Sequence, residues 1–173
     1  MRLVQAVVFT VAGILLISAG IHTVGIRFNT SESIPVGFYS ITSMPIAKGE
    51  YVLFCPPQQK VFEEAKTRGY INSGFCTGSY GYMMKKILAA KGDIVSVNQD
   101  GVTVNEEKIP FSKPLLMDAS GHPLPRLTID SHLLNANELL LMTDQSSSSF
   151  DARYFGFINQ KQIKGVIRPM FTW

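Results

Sequence analysis

The sequence predicts a mainly β domain preceded by one apolar N-terminal helix, which is either a transmembrane anchor or a signal segment. Two observations carry this prediction. Residues 3–26 contain no Asp, Glu, Lys or Arg, and the rest of the chain consists largely of short apolar runs separated by Gly, Pro and Asn turns. Only residues 61–68 have a clear helical pattern, closed by Gly69. This order of elements differs from the strand–helix alternation of a parallel α/β sheet.

The N-terminal apolar segment is long enough to cross a bilayer, since a helix over residues 3–26 spans roughly 36 Å against a hydrocarbon core of about 30 Å. Arg2 favours a cytoplasmic N-terminus, although Arg27 at the other end makes this bias small. The tripeptide Ser-Ala-Gly at 18–20 is instead typical of a signal-peptide cleavage site. A buried helix of a soluble protein is the third interpretation. We predict an anchor or signal segment at 1–27 and an exported domain at 28–173.

Strands are expected at several apolar runs of the exported domain. The first run stops at Pro56-Pro57, because proline interrupts a strand ladder. The clearest hairpin has an Asn-Gln-Asp-Gly turn at 98–101. A proline-containing loop is expected at 114–125. The predicted strands cover residues 50–54, 80–90, 93–97, 102–105, 138–142 and 162–167.

Composition excludes several classes of protein. Of the 173 residues, 46% are hydrophobic and 17% are charged, with a net charge of +3. A disordered chain is less hydrophobic and more charged, and a nucleic-acid-binding face needs dense Lys and Arg. Two Cys and three His are too few for a metal site. We therefore expect no nucleic-acid partner, no metal and no cofactor.

The two cysteines, Cys55 and Cys76, flank the predicted short helix. Exported domains favour disulfides, so we expect a bridge between them. The alternative is two buried free thiols, which cysteine also tolerates.

The first candidate for chemistry is Ser33. Pro35 and Gly37 follow it closely, and such a turn can hold a side chain outward and aim backbone N–H groups into a cleft. The chain has no Gly-x-Ser-x-Gly nucleophile elbow. By itself, this segment also fits a hydroxyl in an ordinary linker loop.

The second candidate is a pair of lysines, Lys85 and Lys86, within an apolar β run. Alternation puts them on opposite faces of a strand. Apolar surroundings disfavour a charged ammonium and so lower its pKa, as a lysine acting as a base near neutral pH requires. Both lysines have apolar neighbours, so periodicity leaves open which one points inward. Lysines on an edge strand that extend into solvent are the alternative.

The third candidate segment is residues 142–156, in which a run of serines ends at Ser149 and is followed by Asp151 and Arg153. Alone, this segment is better explained as a turn that an Asp–Arg ion pair stabilises. The segment points to a function only when it is combined with the serine segment and the lysine segment.

Together and in this order, the three segments resemble the motifs of the type I signal peptidases: a serine box, a Lys-Lys box ending in Gly-Asp, and an Asp-x-Arg-Tyr-aromatic-Gly box. More closely, the chain resembles the conjugal transfer peptidases of broad-host-range conjugative plasmids. That likeness includes YVLFCPP at 51–57, FEEAKTRGYI at 62–71 and SFDARYFG at 149–156. One departure is Ile34-Pro35, where many signal peptidases have two methionines or Met-Pro, and it suggests a specialised substrate pocket. The resemblance implies a signal-peptidase-like β-rich fold.

The resemblance also implies a Ser–Lys dyad, a variant of the triad logic. In this chain Ser33 is the expected nucleophile and Lys85 the expected general base, which makes Lys85 the inward lysine. Lys86 is then expected to face away and to pair with Asp151.

Three residues have expected supporting roles. Asp151 supports geometry and charge rather than accepting a proton. Ser149 lies where signal peptidases place a serine that orients the lysine. Arg153 completes the third box as a supporting residue.

The resemblance implies that the substrate is a conjugative pilin precursor, matured at the periplasmic face of the inner membrane and closed head to tail. Other conjugative transfer proteins are expected partners. Ile34, Phe38 and Tyr39 would add an apolar surface facing lipid or substrate. Two alternatives are a general signal peptidase I that removes signal peptides and a non-catalytic assembly factor of the mating channel.

Overall fold

The computed structural model describes residues 4, 5, 7, 9–13 and 25–173. Residues 4, 5, 7 and 9–13 are helical. Within the described part of the chain, no helix has the length and hydrophobicity needed to span a bilayer. Most of the predicted anchor or signal segment lies outside the described residues, as does His22, so that segment stays a prediction.

From residue 25 onward the chain is mainly β, as the sequence predicts. Two short helical segments connect strands, and two 3-10 turns, Thr77–Ser79 and Gln160–Gln162, lie between others. In chain order the elements are β1 (Ile26–Asn29), β2 (Gly37–Thr42), β3 (Tyr51–Phe54), α1 (Lys60–Thr67), β4 (Ser73–Cys76), β5 (Met83–Ala89), β6 (Ile94–Asn98), β7 (Gly101–Val104), β8 (Glu107–Lys108), β9 (Ile129–Leu133), β10 (Glu138–Met142), α2 (Ala152–Phe155), β11 (Ile158–Asn159) and β12 (Ile163–Thr172).

The strands described, apart from β4, form two antiparallel sheets. The larger sheet has the order β1-β2-β12-β3-β5-β10-β11, and the smaller has the order β8-β7-β6-β9. β5 lies inside the larger sheet, between β3 and β10, and the chain passes from it directly into β6 of the smaller sheet. A side chain on the buried face of β5 is therefore held by strands on both sides.

Several strands depart from the sequence prediction. Six of the strands described were not predicted, namely β1, β2, β4, β8, β9 and β11, and β1 begins two residues before the predicted domain start at 28. β12 continues through Pro169 to Thr172, although its pairing with β3 ends at Ile167. Pro169 lies where β12 pairs with β2 alone, and the register shifts between Pro169 and Phe171. A proline, which has no N–H, fits at such an irregular position.

A small hydrophobic cluster lies beneath the β1–β2 connection. It consists of Ile34, Tyr39, Leu53 and Ile167, each at most 1% exposed. The expectation that Ile34 and Tyr39 face lipid or substrate is therefore wrong, because both side chains are taken up by this cluster. Phe38, on the other face of β2, is 41% exposed.

Candidate active site

Ser33 lies in the connection between β1 and β2, and its side chain is nearly buried, with 8% of the residue exposed. Ile34 anchors the connection in the hydrophobic cluster beneath it. The hydroxyl of Tyr39 donates a hydrogen bond of 2.6 Å to the carbonyl of Pro35. At the far end Gly37 has φ +149°, and a Cβ there would lie 2.1 Å from the carbonyl oxygen of Phe171. Local packing thus leaves this loop little freedom.

Lys85 points into the protein from the centre of β5 and is 4% exposed. Along this strand Met83, Lys85 and Ile87 are buried, while Met84 and Lys86 are only partly buried. The alternation of a strand explains this pattern. The choice between the two lysines, which periodicity leaves open, is made here by the packing of β5 against its neighbours.

Three polar side chains meet above β5. The Lys85 amine donates hydrogen bonds to the Ser33 hydroxyl at 2.5 Å and to the Ser149 hydroxyl at 3.0 Å. The two serine oxygens lie 3.1 Å apart. The structure therefore brings together residues from all three boxes of the sequence.

Burial sets the protonation state of Lys85. The pKa of the amine falls from its ordinary value to about 8, mainly because the side chain is buried. The Asp151 carboxylate raises this pKa, and the Arg153 guanidinium lowers it. The apolar surroundings disfavour the ammonium form. An amine that is partly neutral near neutral pH, in contact with a hydroxyl, can accept its proton and activate it as a nucleophile.

Asp151 and Arg153 form a completely buried ion pair, with Oδ2 and Nη2 2.7 Å apart. The Asp151 carboxylate also accepts a hydrogen bond from Nε of Arg153, and it caps α2 by accepting from the backbone N–H of Arg153. The guanidinium further donates to backbone carbonyls on the serine run, those of Ser146, Ser147 and Ser149. Because Arg153 holds the main chain on both sides of Ser148, the pair determines where Ser149 lies.

The expected pairing of Lys86 with Asp151 is wrong. Lys86 instead pairs with Asp144 at 2.6 Å, and both side chains are partly exposed. Lys86 lies on the opposite face of β5 from Lys85, whereas Asp151 is buried and already neutralised by Arg153. Lys85 and Lys86 thus belong to the same sequence motif but lie on opposite faces of β5.

A cavity of about 400 Å³ opens beside these residues. Ser33, Lys85 and Ser149 lie on its wall together with the aromatic rings of Tyr70 and Tyr82. Its size is within the range of ligand-binding pockets.

The two cysteines, and the histidines of the described residues, lie away from this cavity. Cys55 and Cys76 are joined by a disulfide that links the end of β3 to the end of β4. His122 contacts Asp118, and His132 contacts Glu138. No group of His, Cys, Asp and Glu that could hold a metal ion occurs among the residues described.

Comparison with known proteins identifies the family. All of residues 1–173 match the family described as signal peptidase, peptidase S26. The chain belongs to this family, so the resemblance drawn from its three motifs is confirmed.

Two Escherichia coli proteins, each named plasmid transfer protein TraF, are 55% and 51% identical to this chain over 172 residues. Each alignment covers 99% of this chain and 97% of the relative. A crystal structure of a signal peptidase I from Enterococcus faecalis V583 aligns with 73% of this chain and 100% of its own, at 17% identity and a TM-score of 0.42.

Proposed function

We propose that this protein is a serine endopeptidase in which Ser33 is the nucleophile and Lys85 is the general base. The observation that carries the proposal is the 2.5 Å contact between the Lys85 amine and the Ser33 hydroxyl. The contact is shielded from water, and burial brings the pKa of Lys85 to about 8. Membership of the S26 peptidase family supports the same chemistry.

The reaction begins when neutral Lys85 takes the hydroxyl proton as Ser33 attacks the carbonyl carbon of a peptide bond. The backbone N–H of Ser33 stabilises the oxyanion that forms. As the C–N bond breaks, the Lys85 ammonium returns its proton to the leaving amine, and an acyl-enzyme ester remains on Ser33. Ser149 orients the lysine through its 3.0 Å hydrogen bond. Asp151 acts through Arg153 and the serine run, as a support for geometry and charge.

The proposed substrate is a conjugative pilin precursor. The names of the TraF relatives connect those proteins to plasmid transfer, and by this likeness we assign the chain to the conjugative transfer machinery, with other transfer proteins as partners. Water resolves the acyl-enzyme to a shortened pilin. The amino group of the same pilin would instead form a new peptide bond and close the chain into a ring, provided that the amine is held close and water is kept out.

The proposed location is the periplasmic face of the inner membrane. The apolar segment 3–26 leads directly into β1, and β1 leads into the loop with Ser33. A retained segment would therefore keep the nucleophile near the membrane surface, where a membrane-embedded precursor exposes its ends. If the segment is removed, the same domain works in the periplasm.

Co-expression with the pilin precursor and intact-mass measurement of the pilin test the proposal. We expect a shortened pilin with the wild-type protein and an unchanged precursor with Ser33→Ala or Lys85→Ala. A product lighter by one further water identifies cyclisation. Lys91→Ala, an exposed lysine in the β5–β6 turn, is the matched control and should process normally.

An unchanged precursor with every form would contradict the proposal and favour the non-catalytic assembly factor. The family match also favours a second candidate, a general signal peptidase. That candidate predicts that the protein restores growth to cells depleted of their own leader peptidase, whereas a dedicated pilin peptidase does not.

A further inference from the structure

We propose that Asn29 is a positioning residue that holds Ser33 in its reactive place. The inference rests on the proposed function, because it assumes that Ser33 is the nucleophile. Asn29 is the last residue of β1, lies opposite Gly37 in the strand register, and is 5% exposed. It stands at the base of the loop that carries Ser33.

The side chain of Asn29 bonds to the loop on both sides of Ser33. Its Nδ2 donates to the backbone carbonyls of Ser31 at 2.7 Å, Ile34 at 2.9 Å and Pro35 at 3.1 Å. Its Oδ1 accepts from the backbone N–H of Ser31 at 3.2 Å and from the Ser31 hydroxyl at 3.0 Å. A single buried amide therefore connects the residues before the nucleophile to those after it.

Apart from those of Asn29, the side-chain contacts of this loop lie mainly after Ser33. Before it, the exposed side chain of Gln145 donates one long hydrogen bond, of 3.4 Å, to the carbonyl of Glu32. Tyr39 bonds to the carbonyl of Pro35, and the side chain of Ile34 packs in the cluster below. Both follow Ser33 in the chain. The approach to Ser33 through Thr30 and Ser31 depends on Asn29, whose first contact is an Asx-type turn to Ser31. Without the amide, the loop would be anchored after the nucleophile and looser before it.

This arrangement predicts an effect on the chemical step. The reaction needs the Ser33 hydroxyl in contact with Lys85, and a displacement of about 1 Å at a reacting atom can cost about 100-fold in rate. Asn29 makes its bonds inside the loop, so its loss should leave substrate binding largely intact. Replacement by aspartate should be worse than replacement by alanine, because a carboxylate would face three carbonyl oxygens.

The experiment measures kcat and KM on the pilin precursor, with the melting temperature of each variant. For Asn29→Ala we expect kcat to fall about 100-fold with KM within about threefold of wild type, and for Asn29→Asp a larger fall. Asn29→Ser, whose hydroxyl keeps one donor, should recover part of kcat and provides the comparison if the alanine variant does not fold.

Asn105→Ala is the matched control. Asn105 also bonds a backbone N–H, that of Ile94 at 2.9 Å, and a side chain, Asp93 at 2.6 Å, but it lies in the turn between β7 and β8 of the smaller sheet. It should lower the melting temperature and leave kcat unchanged.

Three outcomes would overturn the inference. Wild-type kcat in the Asn29 variants, with Ser33→Ala inactive, would refute the positioning role and leave the proposed function standing. An equal fall in kcat for Asn105→Ala would show that the fall in Asn29→Ala comes from general destabilisation and not from the position of Ser33. Identical behaviour of wild type and Ser33→Ala would remove the proposed function, and this inference with it.

Discussion

The Lys85 amine and the Ser33 hydroxyl lie 2.5 Å apart, although 52 residues separate them in the sequence. Lys85 comes from the centre of the larger sheet, and Ser33 comes from a loop anchored on its outermost hairpin. Neither element forms the contact alone. The reactivity that we propose therefore depends on tertiary packing and on the protonation state of one buried amine.

The pH dependence of processing should follow Lys85. Burial lowers its pKa to about 8, and only the neutral amine can act as a base. We expect kcat/KM to rise about tenfold per pH unit below about pH 8 and to level off above it, measured on the pilin precursor between pH 6 and 10. Lys91→Ala should give the same profile. A flat profile between pH 6 and 9 would exclude Lys85 as the base.

Replacing Lys85 by methionine should stabilise the protein at pH 6. The folded pKa of about 8 lies below the unfolded value of about 10.4, so the folded state binds fewer protons between these pH values. Unfolding free energy of the wild type therefore rises with pH across that window, and the charged amine is a cost below it. After the lost hydrogen bonds to the serines are counted, we expect a gain of about 1–2 kcal/mol at pH 6.

Denaturant unfolding of wild type and Lys85→Met at pH 6 and pH 10 measures this difference. The gain should shrink, or reverse, at the higher pH. A variant that is less stable than wild type at pH 6 would show that the buried amine carries no such cost.

Asp151→Asn should be strongly destabilising, because it leaves the guanidinium of Arg153 buried without its counter-ion. Breaking a buried pair from one side costs about 3–5 kcal/mol. Asp144→Asn is the matched control, since it removes the partly exposed partner of Lys86 and should cost less than about 1 kcal/mol.

The pH profile of Asp151→Asn tests whether the Asp151 carboxylate acts on Lys85 through its charge. The Asp151 carboxylate raises the pKa of Lys85, so its removal should move the midpoint of the pH profile to lower pH while some activity remains. An unchanged midpoint in a folded, active variant would show that the charge of Asp151 does not act on Lys85.

Ser149→Ala removes the hydrogen bonds to Lys85 and Ser33 without introducing a new group. We expect kcat to fall about 10- to 100-fold, since an orienting hydrogen bond contributes about 1.5–3 kcal/mol when one partner is charged. Ser147→Ala changes an exposed hydroxyl in the same serine run and should stay within about twofold of wild type. Equal rates for both variants would show that Ser149 does not orient the lysine.

The disulfide between Cys55 and Cys76 should contribute about 3 kcal/mol to stability, because it closes a loop with a sequence separation of 21 residues in the unfolded chain. The double variant Cys55→Ser/Cys76→Ser should lose this amount in denaturant unfolding. In the wild type, unfolded protein should react with a thiol label only after reduction. Labelling without a reductant would mean that the thiols are free.

The sequence by itself determined the class of protein, because its chemistry depends on residue types that are rare in combination. The sequence shows a serine in a Pro/Gly turn, a lysine in an apolar run and an Asp-x-Arg box. The family match confirms the resemblance to signal peptidases that these motifs indicate. Apolar runs bounded by turn residues also placed six of the twelve strands described, and β10 begins and ends at the predicted residues. The strands around Ser33 were missed because Ile26, the first residue of β1, closes the apolar segment 3–26, and the polar residues between β1 and β2 indicate a loop.

Only the tertiary structure decided which side chains meet. Alternation assigns Lys85 and Lys86 to opposite faces of β5, but the packing of β5 against its neighbours determines which face is buried. Arg153, rather than Lys86, neutralises Asp151, because a charge with no access to water is paired by the cation buried beside it. Asn29 showed no distinguishing pattern beyond its place four residues before Ser33, and its importance is visible only once the loop folds back over it. Local sequence determines which faces a strand has, and long-range packing determines what each face touches.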